Sequence, residues 1–268
     1  MSAQPNATAP RAGFDAIAAT YDGMRFVQVC ATRLVELAGL RPGMRVLDVA
    51  TGTGIAALLA ARIVGPQGQV VGIDTSPDML ARATEKRSAT GTANVEFRQG
   101  DAQQLDFRDA SFDVVLCASS LFFVPDMAGA VREMRRVLAP SGVAGFTSFG
   151  PGFLRPLRER WAGRLQQYGL AAPWPPTHRL EDAAVCADLL REAGFARLEV
   201  RSEQLGYFLP DGKARWREIV AGMEGVPVRR LAPADRARVK AEHIAELDAQ
   251  ATRDGVWVDV AAHIAFGS

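Results

Sequence analysis

The sequence predicts an α/β fold, a doubly wound sheet of seven strands that are mostly parallel, with helices on both faces. Three observations support this fold class. Short apolar segments rich in β-branched residues alternate with segments long enough for a helix. Glycine and proline separate many of these segments. The first strand leads through a glycine-rich turn into a helix that is rich in alanine and leucine.

The elements up to the middle of the chain follow from this alternation. Helices are predicted at residues 14–19 and 27–40, and apolar side chains recur at helical spacing in the second until Pro42 and Gly43 end it. The following strands are predicted at residues 45–49, 69–73, 95–99, 112–118 and 143–149. Parallel strands in such an order are connected by right-handed crossovers.

The second half of the chain interrupts the alternation twice. Residues 151–176 combine an apolar stripe with a proline-rich segment, and we expect a helical lid there. A second helical insertion is predicted at about residues 205–254. Between the two insertions we expect a helix at residues 181–193 and a strand at 197–204, and residues 256–266 form the last strand.

Length and composition are those of one globular domain. The 268 residues include 31 basic and 30 acidic side chains, a formal charge of +1 that gives no indication of a nucleic-acid partner. A chain of this length buries roughly three quarters of its unfolded surface, so its core requires neither disulfide nor metal. We expect a disordered leader at residues 1–12 and a single domain at residues 13–268.

The cysteines and the apolar segments indicate a cytoplasmic protein. Cys30, Cys117 and Cys186 are scattered and odd in number, which favours reduced thiols. No apolar run reaches the roughly 18 residues of a membrane span, and the first residues lack the features of a signal peptide. We therefore expect no membrane partner. No cluster of acids and histidines has the spacing of a metal site, so no metal is expected.

The turn after the first strand predicts a nucleotide-like cofactor. Gly52, Gly54 and Ala57 fit the pattern G-x-G-x-x-G/A, which dinucleotide-binding proteins share with others. Glycine lets the backbone approach a ligand closely, and the next helix directs its free N–H groups to the same place.

Acidic residues follow three of the predicted strands. In an open parallel sheet the ligand lies at the carboxyl ends of the strands. Asp48 precedes the glycine turn, Asp74 is placed to accept both hydroxyls of a ribose, and Asp101 can accept an exocyclic amino group while the N–H of Ala102 faces a ring nitrogen. Ser119 follows the fourth strand, beside the glycine turn.

These strand ends resemble those of the class I S-adenosylmethionine-dependent methyltransferases, especially the small-molecule and ubiquinone-biosynthesis-like branch. The shared motifs are VLDVATGTG at 46–54, GIDTSPDML at 72–80, GDA at 100–102, FDVV at 112–115 and VDVAAHIAFG at 258–267. The resemblance implies a Rossmann-like sheet with an antiparallel C-terminal strand, S-adenosylmethionine as cofactor, and methyl transfer to a small molecule.

The resemblance also implies roles for individual residues. Those assigned to the cofactor are Tyr21, Asp48, Ala50, Thr51, Gly52, Gly54, Asp74, Thr75, Met79, Asp101, Ala102 and Ser119. Asp48, Gly52 and the region of Ser119 hold the methionine part, and Tyr21 closes over the cofactor. Thr75 and Met79 flank the adenine.

The acceptor is expected to be hydrophobic or aromatic. Related enzymes often have histidines after the fourth strand, but residues 119–126 read SSLFFVPD. The side chains predicted to shape the acceptor pocket are Phe122, Phe123, Phe149, Phe153, Tyr168 and Trp174. Alignment and exclusion of water are expected to supply most of the catalysis. If a general base is used, His178 is the candidate among the three histidines.

Two alternatives remain open at this point. Asp74 lies 22 positions after Gly52, close to the roughly 20 expected of an NAD(P)-dependent oxidoreductase. Asp48 disfavours that class, since a carboxylate before the glycines would repel a pyrophosphate but suits an ammonium. The other alternative is a protein of this fold that binds the cofactor but has a non-methylating role. A homodimer is also compatible with the sequence.

Overall fold

The structure, a computed structural model, describes the backbone of residues 8–268 and the side chains from Arg11 onward. Its α-helices are α1 (Thr8–Asp15), α2 (Arg25–Leu37), α3 (Ile55–Val64), α4 (Pro77–Thr90), α5 (Met127–Val137), α6 (Leu157–Gln166), α7 (Ala183–Glu192), α8 (Gly212–Ala221) and α9 (Pro233–Asp248). Its strands are β1 (Arg45–Val49), β2 (Gln69–Asp74), β3 (Val95–Gln99), β4 (Phe112–Cys117), β5 (Leu138–Phe149), β6 (Leu198–Gln204), β7 (Tyr207–Leu209), β8 (Val256–Val258) and β9 (Ala261–Gly267).

The main sheet has seven strands in the order β3-β2-β1-β4-β5-β9-β6. Strands β1 to β5 pair in parallel, whereas β9 runs antiparallel to both β5 and β6. The reversal of strand order beside β1 brings the carboxyl ends of β1 and β4 together at a crevice, where ligands bind in this class of sheet. The predicted fold class is therefore confirmed.

The apolar side chains of the central strands alternate between two cores. In β4, Val114 and Leu116 pack toward α2 and α3, while Val115 and Cys117 pack toward α5 on the opposite face. Successive strand side chains point to opposite faces, so a fully buried strand must be apolar on both. This explains the continuous apolar segments of the sequence. The helices on the two faces complete the doubly wound architecture.

The last predicted strand is in fact two strands. Residues 256–258 form β8, which pairs with β7 outside the main sheet, and the chain enters the main sheet only as β9. Side chains fix the break: Gln204 Nε2 donates to Asp259 Oδ2 at 2.9 Å, and Val260 N–H donates to Gln204 Oε1 at 3.0 Å. The insertion predicted as helical at about 205–254 thus also contains the short strand β7.

The beginning of the chain also differs from the prediction. Helix α1 starts at Thr8, within the segment predicted to be a disordered leader, and residues 1–7 of that segment lie outside the described residues. Helix α1 has tertiary partners that a disordered segment would lack. Phe14 packs edge-to-face on Phe123 with ring centroids 5.0 Å apart, and Asp15 accepts a hydrogen bond from the Ser76 hydroxyl. The last five residues of the predicted leader, 8–12, thus belong to helix α1.

The two predicted insertions pack against each other as one helical layer. Trp161 of α6 is fully buried and packs edge-to-face on Trp216 of α8, and Val239 of α9 belongs to the same small core. The Trp161 indole N–H donates to the Glu224 carbonyl oxygen at 3.0 Å. Within the described residues, no helix is both long enough and apolar enough to cross a membrane.

Candidate active site

A cavity lies at the carboxyl ends of β1, β2, β3 and β4, and we call it the strand-end cavity. Its lining includes eleven of the twelve residues predicted for the cofactor: Tyr21, Asp48, Ala50, Thr51, Gly52, Asp74, Thr75, Met79, Asp101, Ala102 and Ser119. The exception is Gly54, which has a φ of +79° at the start of α3. A Cβ on Gly54 would lie 2.7 Å from Phe97 Cζ, so glycine is needed there for packing.

The glycine turn is fixed by backbone hydrogen bonds to the neighbouring strand. Thr51 N–H donates to the Ile73 carbonyl oxygen at 2.8 Å, and Gly52 N–H donates to Asp74 Oδ2 at 2.8 Å. Gly52 has a φ of +54°, a conformation that favours glycine. Ala50 has a φ of +53° although it carries a side chain. The turn thus holds strained backbone beside the cavity, as functional sites often do.

Asp48 is a buried carboxylate with spare capacity to accept hydrogen bonds. Its Oδ2 accepts from the Thr51 hydroxyl at 2.6 Å and from Ala57 N–H at 3.0 Å, whereas Oδ1 has no partner within the described residues. Only 1% of Asp48 is exposed, and this burial raises its pKa to about 7. An unpaired, desolvated carboxylate oxygen beside a cavity suits a ligand that brings a positive charge or hydrogen-bond donors.

Asp74 forms the centre of the cavity wall at the end of β2. Its two oxygens accept from Gly52 N–H and, at 2.9 Å, from Ser76 N–H. Burial raises the pKa of Asp74, and these backbone N–H groups oppose that rise because they stabilise the charged form. Each oxygen keeps a further acceptor position. The carboxylate can therefore receive the hydroxyls of a diol.

The wall beyond β3 is more open. Asp101 is exposed, and its Oδ1 accepts from Gln103 N–H at 2.9 Å. Met79 is fully buried at the start of α4, where Ser76 caps the helix by accepting from Met79 N–H. A planar ring between Met79 and the end of β3 would find an apolar face on one side and acceptors at its edge.

Residues 11–22, which precede α2, lie over the strand-end cavity, and we call them the covering segment. Arg11, Phe14 and Tyr21 all line the cavity. The pKa of the Tyr21 phenol is raised, mainly by burial and then by the nearby Asp74, so the hydroxyl stays protonated. Arg11 and Phe14 were not identified from the sequence. A short segment before the domain gives no periodic signal, and Arg11 lay within the predicted leader.

Three polar contacts, made by two aspartates, connect this covering segment to the rest of the site. The Ser76 hydroxyl donates to Asp15, and Asp22 accepts from both the Thr53 hydroxyl and, at 2.7 Å, Lys86 Nζ. Thr53 lies in the glycine turn, and Ser76 and Lys86 belong to α4 and its cap. The cover is therefore hydrogen-bonded to the same turn and helix that form the cavity floor.

A second cavity, which we call the aromatic cavity, adjoins the first. Both are lined by Phe14, Tyr21, Val27, Ser119 and Phe123. The aromatic cavity contains five of the six side chains predicted for the acceptor: Phe122, Phe123, Phe149, Phe153 and Trp174. The rings of Phe149 and Phe153 stack with centroids 3.7 Å apart. Met24, Phe26, Pro173, Pro175, Met223 and Glu224 also line it, and the sequence did not indicate them.

Two predicted residues lie elsewhere. Tyr168 donates its hydroxyl hydrogen bond to Glu242 at 2.8 Å, and the Arg238 guanidinium lies 5.4 Å above its ring, between the end of α6 and α9. His178 is exposed on the short helical turn Thr177–Leu180. Neither residue lines either cavity. The structure thus does not bring the candidate base to the site.

The described residues contain no group of three or more histidine, cysteine, aspartate or glutamate side chains that could hold a metal ion. His263, which the sequence places in the last strand, hydrogen-bonds the Ser202 hydroxyl at 2.8 Å and the Glu181 carbonyl at 2.9 Å. His243 packs against Trp161, and burial lowers its pKa to about 4. Both histidines are therefore engaged in packing or structural hydrogen bonds away from the two cavities.

Comparisons with known proteins identify the class. A family model described as "Methyltransferase domain" matches residues 40–182. Nocamycin O-methyltransferase of Saccharothrix syringae is 32% identical over 255 residues, which cover 89% of this chain and 90% of that protein. A ubiquinone/menaquinone biosynthesis C-methyltransferase of Ectopseudomonas mendocina is 43% identical over 136 residues, 48% of this chain and 53% of that one. The chain belongs to the methyltransferase family.

A solved structure supports the same fold. The crystal structure of a SAM-dependent methyltransferase from Aquifex aeolicus superimposes with a TM-score of 0.53 and 23% identity, covering 66% of this chain and 85% of that one. The predicted class, an S-adenosylmethionine-dependent methyltransferase, is confirmed. The oxidoreductase alternative is not favoured.

Proposed function

We propose that the protein transfers a methyl group from S-adenosylmethionine, bound in the strand-end cavity, to a small apolar aromatic acceptor in the aromatic cavity. One observation supports the proposal: the two cavities meet at Tyr21, Ser119 and Phe123, and the first is lined by Asp48, whose Oδ1 has no hydrogen-bond partner within the described residues. A cofactor with a cationic amino-acid end and an acceptor with an apolar body would thus meet at one place.

The residues of the strand-end cavity fit the parts of this cofactor. The methionine end would be held by Asp48, by the glycine turn at Gly52 and by Ser119. Its ammonium group would donate a hydrogen bond to Oδ1 of Asp48. Asp74 would accept from the ribose hydroxyls. The lining of the remaining wall, Thr75, Met79, Asp101 and Ala102, would enclose the adenine. Tyr21 and the covering segment would close over the bound cofactor.

Bound S-adenosylmethionine supplies an activated methyl group on a sulfonium, so the chain's own residues need only align the acceptor and exclude water. The aromatic rings of Phe149 and Phe153 provide a flat apolar wall, and Trp174 with its flanking prolines lies on the lid side. Water is displaced as the acceptor covers these surfaces. Proximity and desolvation therefore account for most of the catalysis proposed here.

No histidine lines either cavity, and Tyr21 keeps its proton because its pKa is raised. A hydroxyl acceptor of low pKa, an enol or an activated carbon would react without a strong base. The two relatives are named for O- and C-methylation, which is consistent with either kind of nucleophile.

We also propose a cytoplasmic homodimer without a nucleic-acid partner. The three cysteines are all buried and unpaired, which supports a reducing compartment. Light scattering of the purified chain tests the homodimer, and a titration with duplex DNA tests the absence of nucleic-acid binding.

The proposed activity is tested by incubating the protein with S-adenosylmethionine and a panel of hydroxylated naphthalenes, quinols and phenols. We expect S-adenosylhomocysteine to form with at least one of them, and the Asp74→Asn variant to form much less. Tight cofactor binding without any S-adenosylhomocysteine across the panel would favour the non-methylating alternative. Binding of NADH in place of S-adenosylmethionine would reject the assignment altogether.

A further inference from the structure

Glu224 is an acidic residue among the residues that line the aromatic cavity. The other lining residues are apolar apart from Tyr21 and Ser119, which lie where the two cavities meet. Glu224 lies on the short helical turn Met223–Gly225, and only 7% of it is exposed. Burying a carboxylate among apolar side chains costs free energy unless hydrogen-bond donors or a cation contact it. The donors around Glu224 therefore show which of its acceptor positions remain for a ligand.

An ion pair fixes the Glu224 carboxylate. Both of its oxygens accept from Arg215 Nη2 at 2.7 Å, and Arg215 is itself 1% exposed. Burial alone would lower the pKa of Arg215, but the carboxylates of Glu224 and Glu218 raise it, so the guanidinium stays charged. Trp161 holds the backbone of the same turn through the Glu224 carbonyl oxygen. The carboxylate is thus held in place from two sides.

Arg215 does not use all the acceptor positions of this carboxylate. An ionised carboxylate offers about four lone-pair positions, and a single guanidinium nitrogen is the donor that reaches Glu224 within the described residues. The neighbouring walls, formed by Phe153, Trp174 and Met223, face the cavity with apolar surface. A molecule that enters the cavity can therefore complete the hydrogen bonding of Glu224.

We propose that Glu224 determines specificity by accepting a hydrogen bond from a hydroxyl or N–H group of the methyl acceptor. The acceptor class is then an aromatic body with at least one hydrogen-bond donor. This inference rests on the proposed function, because it assigns the acceptor to the aromatic cavity. A molecule of the same shape without a donor leaves the carboxylate unpaired and desolvated, and binds more weakly.

The test uses two probes of similar size, 1-naphthol and 1-methoxynaphthalene, titrated by calorimetry into the complex of the protein with S-adenosylhomocysteine. Only the naphthol can donate to Glu224. We expect the wild-type complex to bind the naphthol about tenfold more tightly or better, the usual range for a hydrogen bond to a charged group. Glu224→Gln replaces one acceptor oxygen by an NH₂ donor, and the remaining amide oxygen should turn to Arg215. The naphthol preference should then disappear.

Glu218→Gln is the matched control. Glu218 also contacts Arg215, at 3.5 Å, and accepts from the Tyr207 hydroxyl at 2.8 Å, but it lines neither cavity. The Glu218→Gln variant makes the same chemical change in the same buried cluster. Because Glu218 does not line the aromatic cavity, the preference for the naphthol should persist. Thermal melting checks the folding of both variants. If Glu224→Gln does not fold, Glu224→Asp is the second variant. It keeps the negative charge, but its side chain is one methylene shorter, so the carboxylate lies farther from the acceptor and the preference for the naphthol should fall.

Four results would overturn the inference. These are equal affinities of the two probes for the wild-type complex, an unchanged preference in Glu224→Gln, an equal loss of preference in Glu218→Gln, and failure of both probes to bind. Binding of S-adenosylhomocysteine is measured first. If that fails, the proposed function itself is rejected, and if it succeeds, the probe results bear on Glu224 alone.

Discussion

We expect the buried carboxylate of Asp48 to make cofactor binding depend on pH. Its pKa of about 7 in the unliganded protein means that the group is mostly protonated in mildly acidic solution. The ammonium of S-adenosylhomocysteine would favour the ionised form, so binding at low pH must release a proton. The affinity should therefore rise with pH until it levels off above about pH 7.

The size of this effect follows from the pKa. At about pH 5.5 roughly 3% of Asp48 is ionised in the unliganded protein, and at about pH 7.5 roughly three quarters is ionised. If the bound form is ionised throughout, the affinity rises roughly 25-fold over this range. Calorimetry at several pH values measures it directly, and titrations at about pH 6 in buffers of different ionisation enthalpy count the released proton.

Asp48→Asn is the control, because the amide has nearly the same shape but does not titrate. The variant should bind S-adenosylhomocysteine more weakly at neutral pH, and its affinity should lose most of the pH dependence. A wild-type affinity that is constant between about pH 5.5 and 7.5, or a variant that keeps the full pH dependence, would show that Asp48 does not bind the ammonium. Asp74 lies nearby and also titrates, which is why the variant comparison is needed.

The same carboxylate affects the stability of the unliganded protein. Its pKa is raised in the folded state, so the folded protein binds this proton more tightly than the unfolded chain does. The stabilisation of the folded state by this tighter proton binding is thus fully present below about pH 4 and is lost as the pH rises through about 7. A difference of about three pKa units corresponds to ~4 kcal/mol. In urea titrations the midpoint of Asp48→Asn should fall less with rising pH than that of the wild type.

Four further variants test other parts of the site. Asp74→Ala should weaken S-adenosylhomocysteine binding more than about tenfold and lower the melting temperature, since the unpaired N–H of Gly52 costs ~1–3 kcal/mol; normal affinity in calorimetry would exclude the ribose role. His178→Ala should leave S-adenosylhomocysteine formation within about twofold, and a large loss would restore it as a base candidate. Phe149→Ala should lower the free energy of unfolding, measured by urea titration, by ~3 kcal/mol, because the Phe149 ring is 3% exposed and stacks on Phe153. Lys86→Ala should speed cofactor dissociation in stopped-flow experiments by loosening Asp22, and an unchanged rate would show that this contact does not hold the cover.

The parallel part of the sheet could be predicted from the sequence because its strands are short, apolar and separated by turns. The predicted bounds of β1 and β3 coincide with the observed strands. The acids at the strand ends converge on one cavity since parallel strands end on the same side of the sheet. Local sequence and topology are sufficient for this part of the site.

The remaining features depend on contacts between distant segments. The break between β8 and β9 is fixed by Gln204, more than fifty residues earlier in the chain. The position of His178 depends on how the chain leaves the proline-rich segment, and no periodic pattern constrains that path. Glu224 lines the aromatic cavity from a turn whose carbonyl oxygen accepts from Trp161, a contact between the two insertions. A single sequence contains no signal for such pairings.

The proposed function requires the strand-end cavity to bind S-adenosylmethionine and to present it to an acceptor in the adjoining cavity. Calorimetric titrations of the purified protein with S-adenosylhomocysteine and, separately, with NADH are the decisive test. We expect one S-adenosylhomocysteine to bind per chain, the binding to be lost or strongly weakened in Asp74→Asn, and NADH not to bind. Binding of NADH with no heat from S-adenosylhomocysteine would reject the proposed function.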